Sequence, residues 1–291
     1  MTIKLEMLRA FCAVAEAGNL SDAAVQLGRT QSAVSMTLKG LEAHLGRPLF
    51  ESDRKNRLTL LGQQVLHLSQ SQVRSFDTTV QSIDLLAQAP QGVLKVAAVP
   101  SLAALVFPKL VRALSRAYPG IKLELRDTDT PQVIDALSSG WADLGIASAT
   151  QPIKGVTAVE LFSDAFGLVM SATHPMALKQ GPLTLADVFD AEFIRNELCD
   201  QIQLSKFRSQ LSNVGLTVRN LQSLLAMLRE GDWVSVLPPS VVPLGGDGLV
   251  FRDIEELTER RKVFLLRRSD VAFPDIVETA HSEISKMWVE A

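Results

Sequence analysis

The sequence predicts an α/β chain in three parts: a helical head with a small β wing, one long helix, and a body of two linked α/β lobes. Three observations carry this. Apolar residues recur at helical spacing through residues 3–45 and are punctuated by Gly18, Gly28 and Gly46. Residues 62–88 continue one helical pattern with no Pro, and no Gly after Gly62. Beyond Pro90-Gln91-Gly92 the texture changes to short apolar runs alternating with amphipathic segments. A length of 291 residues fits about two domains.

The head opens with Leu5, Leu8, Phe11, Cys12 and Ala15 on one helical face over residues 3–17, and Gly18 stops that helix. Ser21 is the expected N-cap of a short second helix from Asp22 to Leu27, ended by Gly28. Thr30 is the expected cap of a third helix reaching about Leu45, with Gly46 after it. Helix, short helix, tight turn and helix is the spacing of a helix-turn-helix. On the third helix Val34, Leu38, Leu41 and Leu45 fall on one face. Gln31, Ser32, Ser35, Met36 and Lys39 fall on the other face or its flanks. A charged hairpin, Glu51 to Arg57, follows as a wing between Leu49-Phe50 and Leu58-Thr59-Leu60. The long helix carries an apolar stripe of Val65, Leu68, Val73, Phe76, Val80, Ile83 and Leu86. Such a stripe needs cover, either from the chain's own body or, as favoured here, from a second copy.

In the body, residues 93–99 read as a strand, Pro100-Ser101 as a turn, and Leu102 to Tyr118 as a helix. Residues 121–126 make a second strand, Thr130 caps a helix opened by Pro131, and residues 143–147 make a third strand. This βαβαβ order predicts a parallel sheet with right-handed crossovers. A second set follows: a strand at 165–170, a helix from Leu185, a short strand at 192–194, a helix at 204–211 and a strand at 216–218. Asn220 then caps a helix to Glu230, Trp233 to Leu237 forms a strand closed by Pro238-Pro239, and Gly245 to Gly248 form a turn. A strand at 262–266 and a terminal helix at 274–289 complete the pattern.

Composition narrows the function. Apolar residues are 47% and charged residues 21%, which excludes long disorder. Aromatics at 5% argue against a stacking platform for single-stranded nucleic acid. Two cysteines, Cys12 and Cys199, are too few for a disulfide framework. No apolar run approaches the roughly 18 residues that span a bilayer. Lys4, Glu6, Arg9 and Glu16 break up the N-terminus, so no signal peptide is expected and the expected compartment is the cytoplasm. Residues 1–60 hold eight Lys and Arg against six Asp and Glu, a balance of +2 that leaves −5 for the rest of a chain whose total is −3. A basic head on an acidic body points one end at a polyanion.

An ordered set of residues resembles the LysR-type transcriptional regulators. In the head these are Leu8-Arg9-Ala10-Phe11, Ala23-Ala24, Leu27, Gln31-Ser32-Ala33-Val34-Ser35, Leu41-Glu42, Leu45-Gly46, Leu49-Phe50, Leu58-Thr59 and Gly62. The body adds Pro108, Tyr118-Pro119, Gly140, Asp143-Leu144, His174-Pro175, and Gly231 before Val236-Leu237-Pro238. The resemblance implies a winged helix-turn-helix, a dimerising linker helix and a two-lobed α/β effector domain like a periplasmic binding protein. The expected domains are 1–61, 62–90 and 91–291. One lobe is expected at about 91–162 with 267–291, the other at about 163–266. The implied function is sequence-specific transcription regulation controlled by a small molecule between the lobes. Three positions depart from the family pattern. Ser52 stands where Arg is usual two places after the Leu-Phe pair, Met36 where a polar or basic residue is common, and Thr128 where Gly is frequent.

For double-stranded DNA the expected contacts are Gln31, Ser32, Ser35, Met36, Lys39, Arg54 and Lys55. Gln31 suits adenine, Met36 a thymine methyl, and the cations suit phosphates. For the effector, doubly wound sheets bind ligands beyond the carboxyl ends of their strands. That selects Ser101, Thr128, Thr130 and Ser148 in one lobe, and Arg195, Asn196 and Asn220 in the other. Arg195 suits a carboxylate-bearing effector, and equally a surface ion pair. Thr130 and Asn220 also suit plain helix capping. The expected assembly is a homodimer or homotetramer. No membrane partner, cofactor, metal or catalytic residue is expected: GxSxG, P-loop and HExxH patterns are missing, and His44, His67, His174 and His281 lack ligand spacing. Two alternatives remain at this point, a solute-binding protein and a redox sensor using Cys199, whose neighbours Glu197 and Asp200 disfavour a thiolate.

Overall fold

The structure is a computed structural model, and it describes residues 2–52, 55–88, 92–148 and 152–289. Two compact units divide the chain, with the main boundary between Gln88 and Ala89.

In the first unit, α1 (Leu5–Ala17) ends on Gly18 in the left-handed conformation. Helix α2 (Leu20–Gln26) is capped by Asn19, whose side chain accepts from the Asp22 N–H. Ser21 therefore lies inside the helix. An amide oxygen two residues earlier reached the free N–H first. Thr30 caps α3 (Gln31–Leu45) as expected, accepting from the Ala33 N–H at 3.3 Å, and Gly46 closes it at φ 67°. Val34, Leu38 and Leu41 are buried in a core with Phe11, Val14, Ala23, Leu49 and Phe50. The wing closes through one antiparallel bridge, Phe50 to Leu58, and the Glu51 N–H donates to the Arg57 carbonyl. Helix α4 (Leu60–Gln88) follows. Its Val65 and Leu66 pack on the head, whereas Leu68, Phe76, Val80 and Ile83 are exposed.

The second unit holds two sheets. Strands β1 (Val93–Ala98), β2 (Lys122–Asp127) and β3 (Leu144–Ala147) are parallel, as the alternation predicts. They are joined by α5 (Pro100–Ala117) and α6 (Thr130–Ser138). Pro100 starts α5 directly, so Ser101 belongs to its first turn and not to a separate loop. Asp129 caps α6 by accepting from the Gln132 N–H, and Thr130 is already helical. Two long strands, β4 (Val156–Ala165) and β9 (Arg260–Arg268), complete this sheet in the order β2-β1-β3-β9-β4, both antiparallel to their neighbours. Strand β4 leaves this sheet at Ala165 and β9 enters it at Arg260. Strand β4 was not expected from the sequence, and β9 was expected only over 262–266.

Between β4 and β9 the chain builds the second lobe. It contains β5 (Gly167–Ser171), α7 (Leu185–Asp190), β6 (Glu192–Phe193), α8 (Ser205–Leu211), α9 (Leu221–Glu230), β7 (Trp233–Leu237) and β8 (Leu249–Asp253). Its sheet order is β6-β7-β5-β8. Strand β8 was not anticipated from sequence. The stretch expected as a strand at 216–218 makes only a single bridge, Thr217 to Arg195. Three 3₁₀ turns, Pro175–Ala177, Glu197–Gln201 and Pro239–Gly245, fill the connections. Helix α10 (Pro274–Val289) closes the chain.

Candidate DNA-reading face and effector cleft

The face of α3 opposite its buried leucines is open. Gln31, Ser32, Met36 and Lys39 are exposed and Ser35 is half-buried. Met36 is 76% exposed, a large apolar side chain with no cover from its own unit. The cap geometry leaves this face at the helix N-terminus, the end that meets base edges in a helix-turn-helix. Lys39 has no ion-pair partner among the described residues. Neither has the exposed Arg47, a cation that sequence reasoning passed over although it follows the terminal Gly46.

Arg54 lies outside the described residues. Lys55, at φ 58°, points inward: its Nζ is 3.6 Å from Glu42 Oε2 and 5.2 Å from the Phe50 ring centroid. Glu42 Oε1 also accepts from the Leu49 N–H at 2.8 Å. Lys55 thus ties the wing to α3, and its charge is already matched. Arg57 pairs with Glu51 at 3.0 Å.

In the second unit, Ser101, Thr128 and Ser148 follow the carboxyl ends of three adjacent strands. The Thr128 N–H donates to the Ala98 carbonyl, and the Val99 N–H to the Ile146 carbonyl, so these ends lie side by side. Ser148 is buried. Thr128 Oγ1 bonds Gln132 Oε1, and Thr130 is half-buried. Across from them lies the turn at 197–201. Burial first, then the charge of Asp129, raise the Glu197 carboxyl above its ordinary value, which sets Asp129 of one lobe against Glu197 of the other.

The second-lobe residues are largely committed elsewhere. Arg195 Nη2 is bonded to Asp200 at 2.6 Å, the surface pair and not an open fork. Asn196 is buried: its Nδ2 donates to Ser235 Oγ and the Val236 carbonyl, and its Oδ1 accepts from Leu198 N–H. These bonds fasten the turn to β7, because a buried amide must find partners. Asn220 is exposed and caps α9 through the Ser223 N–H. Cys199 is fully buried, and burial pushes its thiol up to about 12.

Sequence reasoning missed Arg261, Asp164 and Ser240, which join Ser101 in one buried polar cluster. Arg261 stands in a run of cations, Arg260-Arg261-Lys262, at the start of the strand expected over 262–266. Its parity with the buried Val263 and Leu265 on β9 was the signal available.

Comparison with known proteins agrees with this layout. The family described as "Bacterial regulatory helix-turn-helix protein, lysR family" matches residues 5–63, and the "LysR substrate binding domain" matches 87–281. A probable hydrogen peroxide-inducible genes activator of Mycobacterium avium is 28% identical over 247 residues, covering 81% of this chain and 78% of its own. An HTH-type transcriptional regulator of Shigella flexneri, YfeR, is 26% identical over 287 residues, covering 92% and 89%. A full-length OxyR variant from Pseudomonas aeruginosa superposes with a TM-score of 0.54 at 25% identity, covering 97% of this chain and 100% of that one. CbnR, a LysR family transcriptional regulator, has the same fold with a TM-score of 0.66 at 21% identity, covering 98% and 99%.

Proposed function

The chain belongs to the LysR family of DNA-binding transcriptional regulators with an effector-binding domain, and from that premise we propose how its own residues divide the work. The regulator is not an enzyme. The open face of α3 carries the proposal: Gln31, Ser32, Ser35 and Met36 read base edges, and Lys39 neutralises phosphate. Arg47 joins the phosphate contacts, and Lys55 serves the wing's geometry. The proposed organisation is a DNA-binding head at 1–61, a linker helix at 62–90 and a regulatory domain at 91–291. A second copy covers Leu68, Phe76, Val80 and Ile83 of α4, because an exposed stripe on a long helix gains most by pairing with itself. Two heads then meet an operator of approximate dyad symmetry. Reading DNA places this work in the cytoplasm.

The effector binds at the strand ends of the first lobe, against Ser101, Thr128 and Ser148. It favours one interlobe state, and the heads respond through the shift in population. Some relatives are named for a response to hydrogen peroxide. The cysteines of this chain do not support that chemistry: the Cys199 thiol is buried and neutral, and the only other cysteine, Cys12, lies in the other compact unit.

The test is selection of genomic fragments by the full-length protein, followed by binding measurements with Gln31→Ala and Ser35→Ala. Loss of base preference with the fold intact is expected. Unchanged affinity and unchanged preference would remove α3 from the interface.

A further inference from the structure

Among the described residues the largest fully buried side chain is a charged one, Arg261. It lies on β9 directly opposite Asp164 of β4. Its Nε donates to Asp164 Oδ1 at 2.9 Å and its Nη2 to Asp164 Oδ2 at 2.7 Å, a two-pronged pair. Nη2 also donates to Ser240 Oγ at 3.0 Å, and the Ser240 hydroxyl donates to Asp164 Oδ2 at 3.1 Å. Nη1 donates to Ser101 Oγ at 3.3 Å.

The topology gives this cluster its meaning. Strands β4 and β9 are the two connections between the lobes. Ser101 belongs to α5 of the first lobe and Ser240 to the 3₁₀ turn Pro239–Gly245 of the second. One guanidinium therefore holds both crossing strands and one hydroxyl from each lobe. A buried ion pair is a weak source of stability beside apolar packing, but it tolerates few geometries.

We infer that Arg261 is a positioning residue that sets the interlobe angle and couples it to the hydroxyl of Ser101. This rests on the proposal above that the effector binds at Ser101. Rocking about β4 and β9 separates Ser101 from Ser240 while the pair with Asp164 persists, so the guanidinium has to release one serine. Because Ser101 Oγ accepts from Arg261, its hydroxyl hydrogen is left to donate. The effector atom it meets is an acceptor oxygen, of a carboxylate or carbonyl group. An effector that draws Ser101 away thereby loosens the hinge.

The experiment measures interlobe distance in the full-length protein without any ligand. Spin labels are placed at exposed Lys109→Cys on α5 and Lys206→Cys on α8, and the buried Cys12 and Cys199 stay unlabelled. With the labelled chain diluted into excess unlabelled chain, so that pairs between copies do not contribute, a single distance population is expected in the otherwise unchanged protein. A second, shifted population is expected in Ser240→Ala and in Arg261→Lys, with circular dichroism unchanged. An unshifted single population in Ser240→Ala overturns the inference, and that half-buried hydroxyl is small enough to decide the matter even where the arginine variant does not fold. Since no ligand is present, this result is independent of effector binding. A panel of small carboxylates, scored by thermal shift on the unchanged protein and on Ser101→Ala, tests the binding site itself.

Discussion

Lys39 and Lys55 are both lysines in the helix-turn-helix head, and their surroundings differ. Lys39 is exposed without an ion-pair partner among the described residues, whereas Lys55 faces Glu42 across 3.6 Å. Replacing Lys39 by Ala is expected to lower the salt dependence of DNA affinity by about 0.9 in log–log slope and to leave base preference alone. Titrating band shifts against salt checks this, and an unchanged slope would take Lys39 off the phosphate. A second residue-scale prediction concerns acid. The Lys179 ammonium, with the Thr184 N–H and hydroxyl, holds Asp187 down from 3.8 to about 2. A carboxyl lowered by folding contributes stability above its unfolded value and loses it as pH falls through the folded one. The contribution of Asp187 is thus complete above about pH 4 and fades towards pH 2. Asp187→Asn should flatten that part of the acid-unfolding curve, measured by ellipticity.

At the scale of elements, helices were legible and their caps less so. The spacing of Val34, Leu38 and Leu41 located α3 and its inward face, because a 3.6-residue period is a local property of the chain. Asn19 and Asp129 displaced Ser21 and Thr130 as caps, since several polar residues compete at each helix start and only the backbone path decides among them. Gly62 was visible among the family's matching residues, but nothing in its spacing reveals the reason. A Cβ there would lie 2.1 Å from the Leu49 carbonyl oxygen, where the wing meets the start of α4. Gly62→Ala is therefore expected to cost about 1–3 kcal/mol, an overpacking penalty. Urea denaturation of the full chain measures it, and a wild-type midpoint would show that the wing gives way freely.

For the whole molecule, the alternation of strands and helices predicted the parallel centre of the first sheet. It could not predict that β9 inserts between β3 and β4, because that pairing joins segments about a hundred residues apart. The effector residues followed the same division. Ser101, Thr128 and Ser148 sit just past predicted strands, Arg195 pairs with Asp200 five residues on and Asn220 caps its own helix, while Asn196 is engaged by Ser235 and Val236, which only the tertiary structure brings near. The burial of Cys199 also comes from the assembled second lobe, where it packs with Phe193, Ile202 and Phe207. With its thiol at about 12, Cys199 should resist iodoacetamide at pH 8 in the native protein and react once denaturant is added, as read by intact mass. Fast modification of the native chain would contradict that burial.

The sheet order β2-β1-β3-β9-β4 has a consequence for the chain as it is made. Among the described residues strand β4 pairs with β9 alone, so after it leaves the ribosome it waits without a partner while the next ninety-odd residues are translated. The second lobe, whose strands all lie within that interval, can fold first as a nascent unit. The older half of the first sheet stays open at β3 until Arg268 emerges, and a pause or truncation before that point leaves an unpaired edge exposed to other nascent chains.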